Sequence, residues 1–105
     1  MTALRVLVVD DDFMVARIHT QFVERTPGFQ VVGVASTGRA ALDDIARLQP
    51  DLVLLDVHLP DITGIDVLRR LRADGNDVGV LMVTAAREAD TVRAAASGGA
   101  VHYLV

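Results

Sequence analysis

Four aspartates stand where two apolar runs end. Val6-Leu7-Val8-Val9 runs into Asp10-Asp11-Asp12, and Leu52-Val53-Leu54-Leu55 runs into Asp56. Adjacent carboxylates repel one another unless solvent or a cation balances them. If the two runs are neighbouring parallel strands, all four acids converge on one edge of a sheet. A cluster of hard oxygen donors suits a divalent cation, and a cation held there suits a phosphoryl group.

The elements that must place these acids are visible in the hydropathy pattern. Apolar runs at Leu4–Val9, Gln30–Ala35, Leu52–Leu55, Gly79–Val83 and Val101–Val105 alternate with segments of helical spacing. Runs one, three and four are apolar at nearly every position, as expected for parallel strands covered on both faces. Val15, Ile18, Phe22 and Val23 mark the apolar face of a first helix, and Ala41, Leu42, Ile45 and Leu48 that of a second. Ile65, Leu68 and Leu71 mark a third, opposite Arg69, Arg70 and Arg72. A fourth helix is light in bulky anchors, with Ala94-Ala95-Ala96 and Val92. That composition fits either a loosely held helix or a close-packed alanine face. Ser36 or Thr37 can cap the second helix, Pro27-Gly28 follows the first, Pro50-Asp51 precedes the third strand, and Gly98-Gly99 closes the fourth helix.

The order βαβαβαβαβ predicts right-handed crossovers and an open parallel sheet of five strands with helices on both faces. Such sheets bind ligands beyond the carboxyl ends of the strands, where the strand order reverses. In the flavodoxin-like order 2-1-3-4-5 that point lies between strands one and three, the two strands that end in aspartate here.

Composition narrows the function classes. The 105 residues suffice for a single domain, and 51% of them are hydrophobic. A net charge of -4 disfavours a nucleic-acid-binding surface. The absence of cysteine excludes disulfides and thiolate metal sites, and no apolar stretch reaches the length of a membrane span. All ten basic residues are arginine, which excludes any mechanism that uses a lysine of these residues. A cytoplasmic α/β domain without membrane association is expected.

Val8-Val9-Asp10-Asp11, Leu54-Leu55-Asp56-Val57-His58-Leu59-Pro60, Val83-Thr84-Ala85 and Tyr103-Leu104-Val105 together resemble the receiver domain of two-component response regulators, in order and spacing along the whole chain. The phrases at His102-Tyr103 and Ala85–Asp90 resemble regulators of the citrate/C4-dicarboxylate-sensing type. The resemblance implies a signalling domain and not an enzyme. It would accept a phosphoryl group on Asp56 from a sensor histidine kinase with Mg²⁺, switch an output, and in some cases remove the group itself. Asp11 and Asp56 would hold Mg²⁺ directly, Asp10 through a water, and the backbone carbonyl of His58 would complete the protein ligands. Thr84 and Ala85 would sense the phosphoryl group, and Tyr103 would be the switch aromatic. Asp12 is expected to cap the first helix, and His19 to be solvated. In regulators of this type DNA binding belongs to a further output domain, of which these residues show nothing.

Receivers carry a lysine after the fifth strand, then proline and a fifth helix. By spacing from Thr84 the lysine falls just past Val105, so residues 1–105 are expected to be a receiver truncated after the fifth strand, without its fifth helix. Apolar side chains of the first and fifth strands would then be exposed, and a homodimer could cover them through the region of the fourth helix and fifth strand, or by swapping elements. Two other readings remain: a receiver that docks without being phosphorylated, and a phosphatase with Asp10 as nucleophile and Asp12 as acid.

Overall fold

The computed structural model describes residues 3–83 and 102–104. The elements are β1 (Leu4–Val9), α1 (Phe13–Glu24), β2 (Phe29–Ala35), α2 (Gly38–Leu48), β3 (Leu52–Asp56), α3 (Gly64–Ala73), β4 (Gly79–Val83) and β5 (His102–Leu104). The strands pair in parallel in the order β2-β1-β3-β4-β5. The expected fourth helix, with Val92, Ala94-Ala95-Ala96 and Gly98-Gly99, lies outside the described residues.

Side chains of a strand alternate between the two faces of the sheet, and here each face has its own core. Leu7, Val9, Val53, Leu55, Val80 and Met82 pack under α2 and α3, against Ala41, Ile45, Val67, Leu68 and Leu71. Val6 and Val8 face the other way, against Ala16 and Val23 of α1, with Phe29, Leu52 and Leu54 beside them. The second and third helices therefore bury the faces their periodicity predicts.

α1 does not. Ile18 and Phe22 are 58% and 72% exposed, and the residues that α1 buries are Ala16 and Val23. Small Ala16 lets the helix lie close to β1, while Phe22 and Val23 border an apolar cleft of about 200 Å³ that runs over Val6, Leu52 and Leu54. Arg72, opposite the apolar stripe of α3, also has a structural role. Its guanidinium donates to the carbonyls of Asn76 (3.0 Å) and Val78 (2.9 Å), tying the α3–β4 turn to the helix that precedes it.

Register sets the site. Val8 pairs with Leu54 and Val9 with Leu55, so Asp10, the residue after β1, stands level with Asp56, the last residue of β3. Asp10 N–H still donates to Ala35 O at 3.0 Å, which holds the exit of β1 against β2.

Candidate functional site

Asp10, Asp11 and Asp56 each bring a carboxylate oxygen to within 4.8 Å of the others. Their environments differ: Asp10 is buried, Asp56 half-buried and Asp11 exposed. Burial pushes the Asp10 carboxyl above its usual range, and the charges of Asp11 and Asp12 add to that. The Asp12 N–H and His19 pull the other way. Asp56 is raised for the same leading reason, desolvation, with Asp10 and Asp11 contributing repulsion, while the His58 N–H and imidazole oppose it. Two strand ends thus hold carboxylates where ionisation is costly, and a cation among them would relieve that cost.

Asp10 and Asp56 are each held by a backbone amide. The Asp12 N–H donates to Asp10 Oδ1 at 2.9 Å, and the His58 N–H donates to Asp56 Oδ1 at 3.2 Å. Asp12 is not one of the three and caps α1, its Oδ1 accepting from Met14 N (2.9 Å) and Val15 N (3.2 Å). The expected helix cap is therefore observed, and it engages the group that a phosphatase reading would require as acid. His19 borders the apolar cleft.

The loop after β3 is built to stay close to Asp56. Gly64 N–H donates to Val57 O at 2.8 Å, closing the loop at its base. A Cβ on Gly64 would collide with the Asp56 carbonyl oxygen and lie 3.0 Å from Val57 Cα, so only glycine lets α3 begin there. On the far side of the loop, Asp61 accepts hydrogen bonds from the first two amides of α2, Gly38 N (2.8 Å, to Oδ1) and Arg39 N (2.9 Å, to Oδ2). Neither Gly64 nor Asp61 stands out by pattern alone. Gly64 has the weak signal of a glycine opening a helical segment behind Thr63, whose Oγ1 caps it by accepting from Asp66 N at 3.0 Å.

Thr84 and Ala85 lie outside the described residues. Tyr103 pairs with Met82 in the β4–β5 register, and its side chain lies outside them as well.

Comparison with known proteins agrees with this geometry. Residues 6–105 match the response regulator receiver domain family. The chain belongs to that family. Among curated relatives, the transcriptional regulatory protein CitT of Halalkalibacterium halodurans is 44% identical over all of this chain and 47% of its own length. A probable C4-dicarboxylate response regulator, DctR of Priestia megaterium, is 39% identical over 98% of this chain and 45% of its own. The chain thus spans less than half the length of these relatives. Among solved structures, the receiver domain of the putative response regulator NarL from Mycobacterium tuberculosis superposes with a TM-score of 0.92 at 31% identity, covering 99% of this chain and 84% of that one.

The receiver assignment confirms the expected fold and the resemblance to citrate and C4-dicarboxylate regulators. Receivers are signalling domains of two-component systems that interact with histidine kinases, and they use Mg²⁺ at an acidic pocket. The donor set here fits that ion: Mg²⁺ takes oxygen ligands, keeps several waters, and needs only one or two carboxylates from the protein. Among the described residues, no helix is long and apolar enough to cross a membrane.

Proposed function

We propose that this receiver is phosphorylated on Asp56 by a sensor histidine kinase and thereby controls an output, transcriptional in kind as in the relatives named as transcriptional regulators. The observation that carries the reading is the convergence of Asp10, Asp11 and Asp56 at the ends of β1 and β3. An Asp56 carboxylate oxygen attacks the phosphorus of a phosphohistidine. A P–O bond forms as the P–N bond breaks, and the imidazole nitrogen keeps the electron pair and takes up a proton. Asp56 is fit for this because the His58 N–H occupies only its Oδ1. Mg²⁺, when bound, neutralises the charge that accumulates on the phosphoryl oxygens. Asp11 and Asp56 would hold the ion directly, Asp10 would support it through a water, and the His58 carbonyl would supply a further protein oxygen. Thr84 and Ala85 sense the modification, and Tyr103 turns with it. A homodimer through the region of the fourth helix and β5, or through swapped elements, is the assembly that would carry the signal, with DNA contacted only through an output domain.

The test is incubation with Mg²⁺ and a small phosphodonor such as acetyl phosphate, followed by intact mass. One phosphoryl adduct that is absent in Asp56→Asn supports the reading. An unmodified mass for the full-length protein contradicts it, and would favour a receiver that docks without phosphorylation.

A further inference from the structure

From the contact between the β3–α3 loop and α2 we infer that Asp61 is a positioning residue for the phosphoacceptor site, clamping the loop that follows Asp56 onto the start of α2. The inference rests on the proposed Mg²⁺ and phosphoryl site and extends it to a residue that touches neither ligand.

The first amides of a helix have no partner within the helix. In α2 they are satisfied from two sources. Thr37 accepts from Ala40 N through its side chain at 3.0 Å and from Ala41 N through its carbonyl at 3.0 Å. Gly38 N and Arg39 N are served instead by the two oxygens of Asp61, twenty-three and twenty-two residues further along the chain. The first turn of α2 contains no acid of its own, so Asp61 also supplies the negative charge that a helix N-terminus favours. The Arg39 guanidinium, 4.0 Å from Oδ2, adds to this from the exposed side. The Arg39 N–H, followed by the Gly38 N–H and the amides of Ile62 and Asp61 itself, holds the Asp61 carboxyl well below the usual carboxylate range, at about 2, against a smaller opposing effect of desolvation.

The neighbouring residue makes the same junction by packing. Gly38 is buried against Ile62, and a Cβ at Gly38 would strike the Ile62 Cγ1 and come within 3.1 Å of Val67 Cγ2. Asp61 and Ile62 therefore seat the far side of the loop on α2, while Gly64 N–H to Val57 O fixes its base. The segment in between contains His58, whose N–H orients Asp56 and whose carbonyl is the proposed ligand. Six loop residues between Val57 and Gly64 have many conformations to lose, and a bidentate anchor on a rigid element reduces that number before the ion binds.

Calorimetric titration of Mg²⁺ into the unphosphorylated protein tests the clamp without any phosphoryl transfer. Asp61→Ala is expected to weaken Mg²⁺ binding by about tenfold, the low end of what orienting partners contribute to metal affinity. Asp61→Asn, which keeps one acceptor of similar shape, is expected to fall between Asp61→Ala and the wild type, and remains informative if the alanine variant does not fold. Thr37→Ala is the control. It removes a cap from the same end of α2 without touching the loop, so it should lower thermal stability and leave Mg²⁺ affinity within about twofold of wild type. Equal Mg²⁺ affinity in wild type and Asp61→Asn would overturn the inference. So would an equal loss in Thr37→Ala and Asp61→Asn, since the effect would then be one of helix stability alone. A wild-type protein that binds no Mg²⁺ would refute the site itself, and the clamp with it.

Discussion

At the scale of single residues, the site is a set of carboxylates that the fold makes uncomfortable. Asp10 and Asp56 are both raised, chiefly by burial, so in the metal-free protein the folded state binds their protons more tightly than the unfolded chain does. Stability attached to these groups is present in full below the ordinary value of 3.8 and is lost as pH rises through the raised folded values. Asp56→Asn should therefore stabilise the protein at neutral pH in chelator, and the advantage should vanish in acid. Denaturant titrations at a series of pH values check this. An advantage that grew toward low pH would be the wrong sign. Mg²⁺ must displace the same protons, so its affinity should be clearly lower near pH ~5 than near pH ~8. Asp61 behaves oppositely. Its lowered carboxyl contributes stability above the ordinary value that is lost as pH falls toward about 2.

Among the described glycines, Gly64 meets the closest backbone. Gly64→Ala places a methyl group against the Asp56 carbonyl, which neither backbone can yield without moving Asp56. A loss of about 1–3 kcal/mol is expected by chemical denaturation, together with weakened phosphorylation. A variant of wild-type stability would mean that α3 can retreat from β3.

At the scale of elements, legibility in the sequence follows how local the cause is. The strands can be read because a parallel strand covered on both faces is apolar along its length, as Leu52–Leu55 is. β1 and β4 coincide with their apolar runs, and β2 begins one residue earlier, at Phe29. Helices α2 and α3 can be read because each has one broad core-facing stripe. Ile45→Ala on α2, at a position that is 1% exposed, should cost about 2–5 kcal/mol and leave the strand order intact, which thermal unfolding and circular dichroism would show. α1 is harder because its apolar residues exceed what one face can bury. Ile18 and Phe22 share helical spacing with Val15, yet Ala16 and Val23 make the contact with β1. Asp12 is legible as a cap because capping is local. Asp61 is not, because its partners belong to another helix and no pattern at position 61 announces them. The same holds for Arg72, whose charge suggests solvent but whose guanidinium closes a turn.

At the scale of the whole molecule, topology does what no single element can. Sheet order places β1 beside β3, register brings Asp10 level with Asp56, and the strand order reverses at that junction. The acid cluster is legible in sequence only because this topology is. Its chemistry then follows from carboxylate identity, with membership of the response regulator receiver family supplying the signalling context. The apolar cleft beside α1 is the counterpart on the opposite face from α2 and α3, where Phe22 is left open to solvent. The central claim, that this junction makes Asp56 a Mg²⁺-dependent phosphoacceptor, is tested most directly by locating the modification. After incubation with phosphodonor, borohydride reduces an aspartyl phosphate, and peptide mass mapping identifies the reduced residue. The account predicts reduction at Asp56 alone, dependent on Mg²⁺. Modification at Asp10 or Asp11, or equal modification of Asp56 in chelator, would contradict it.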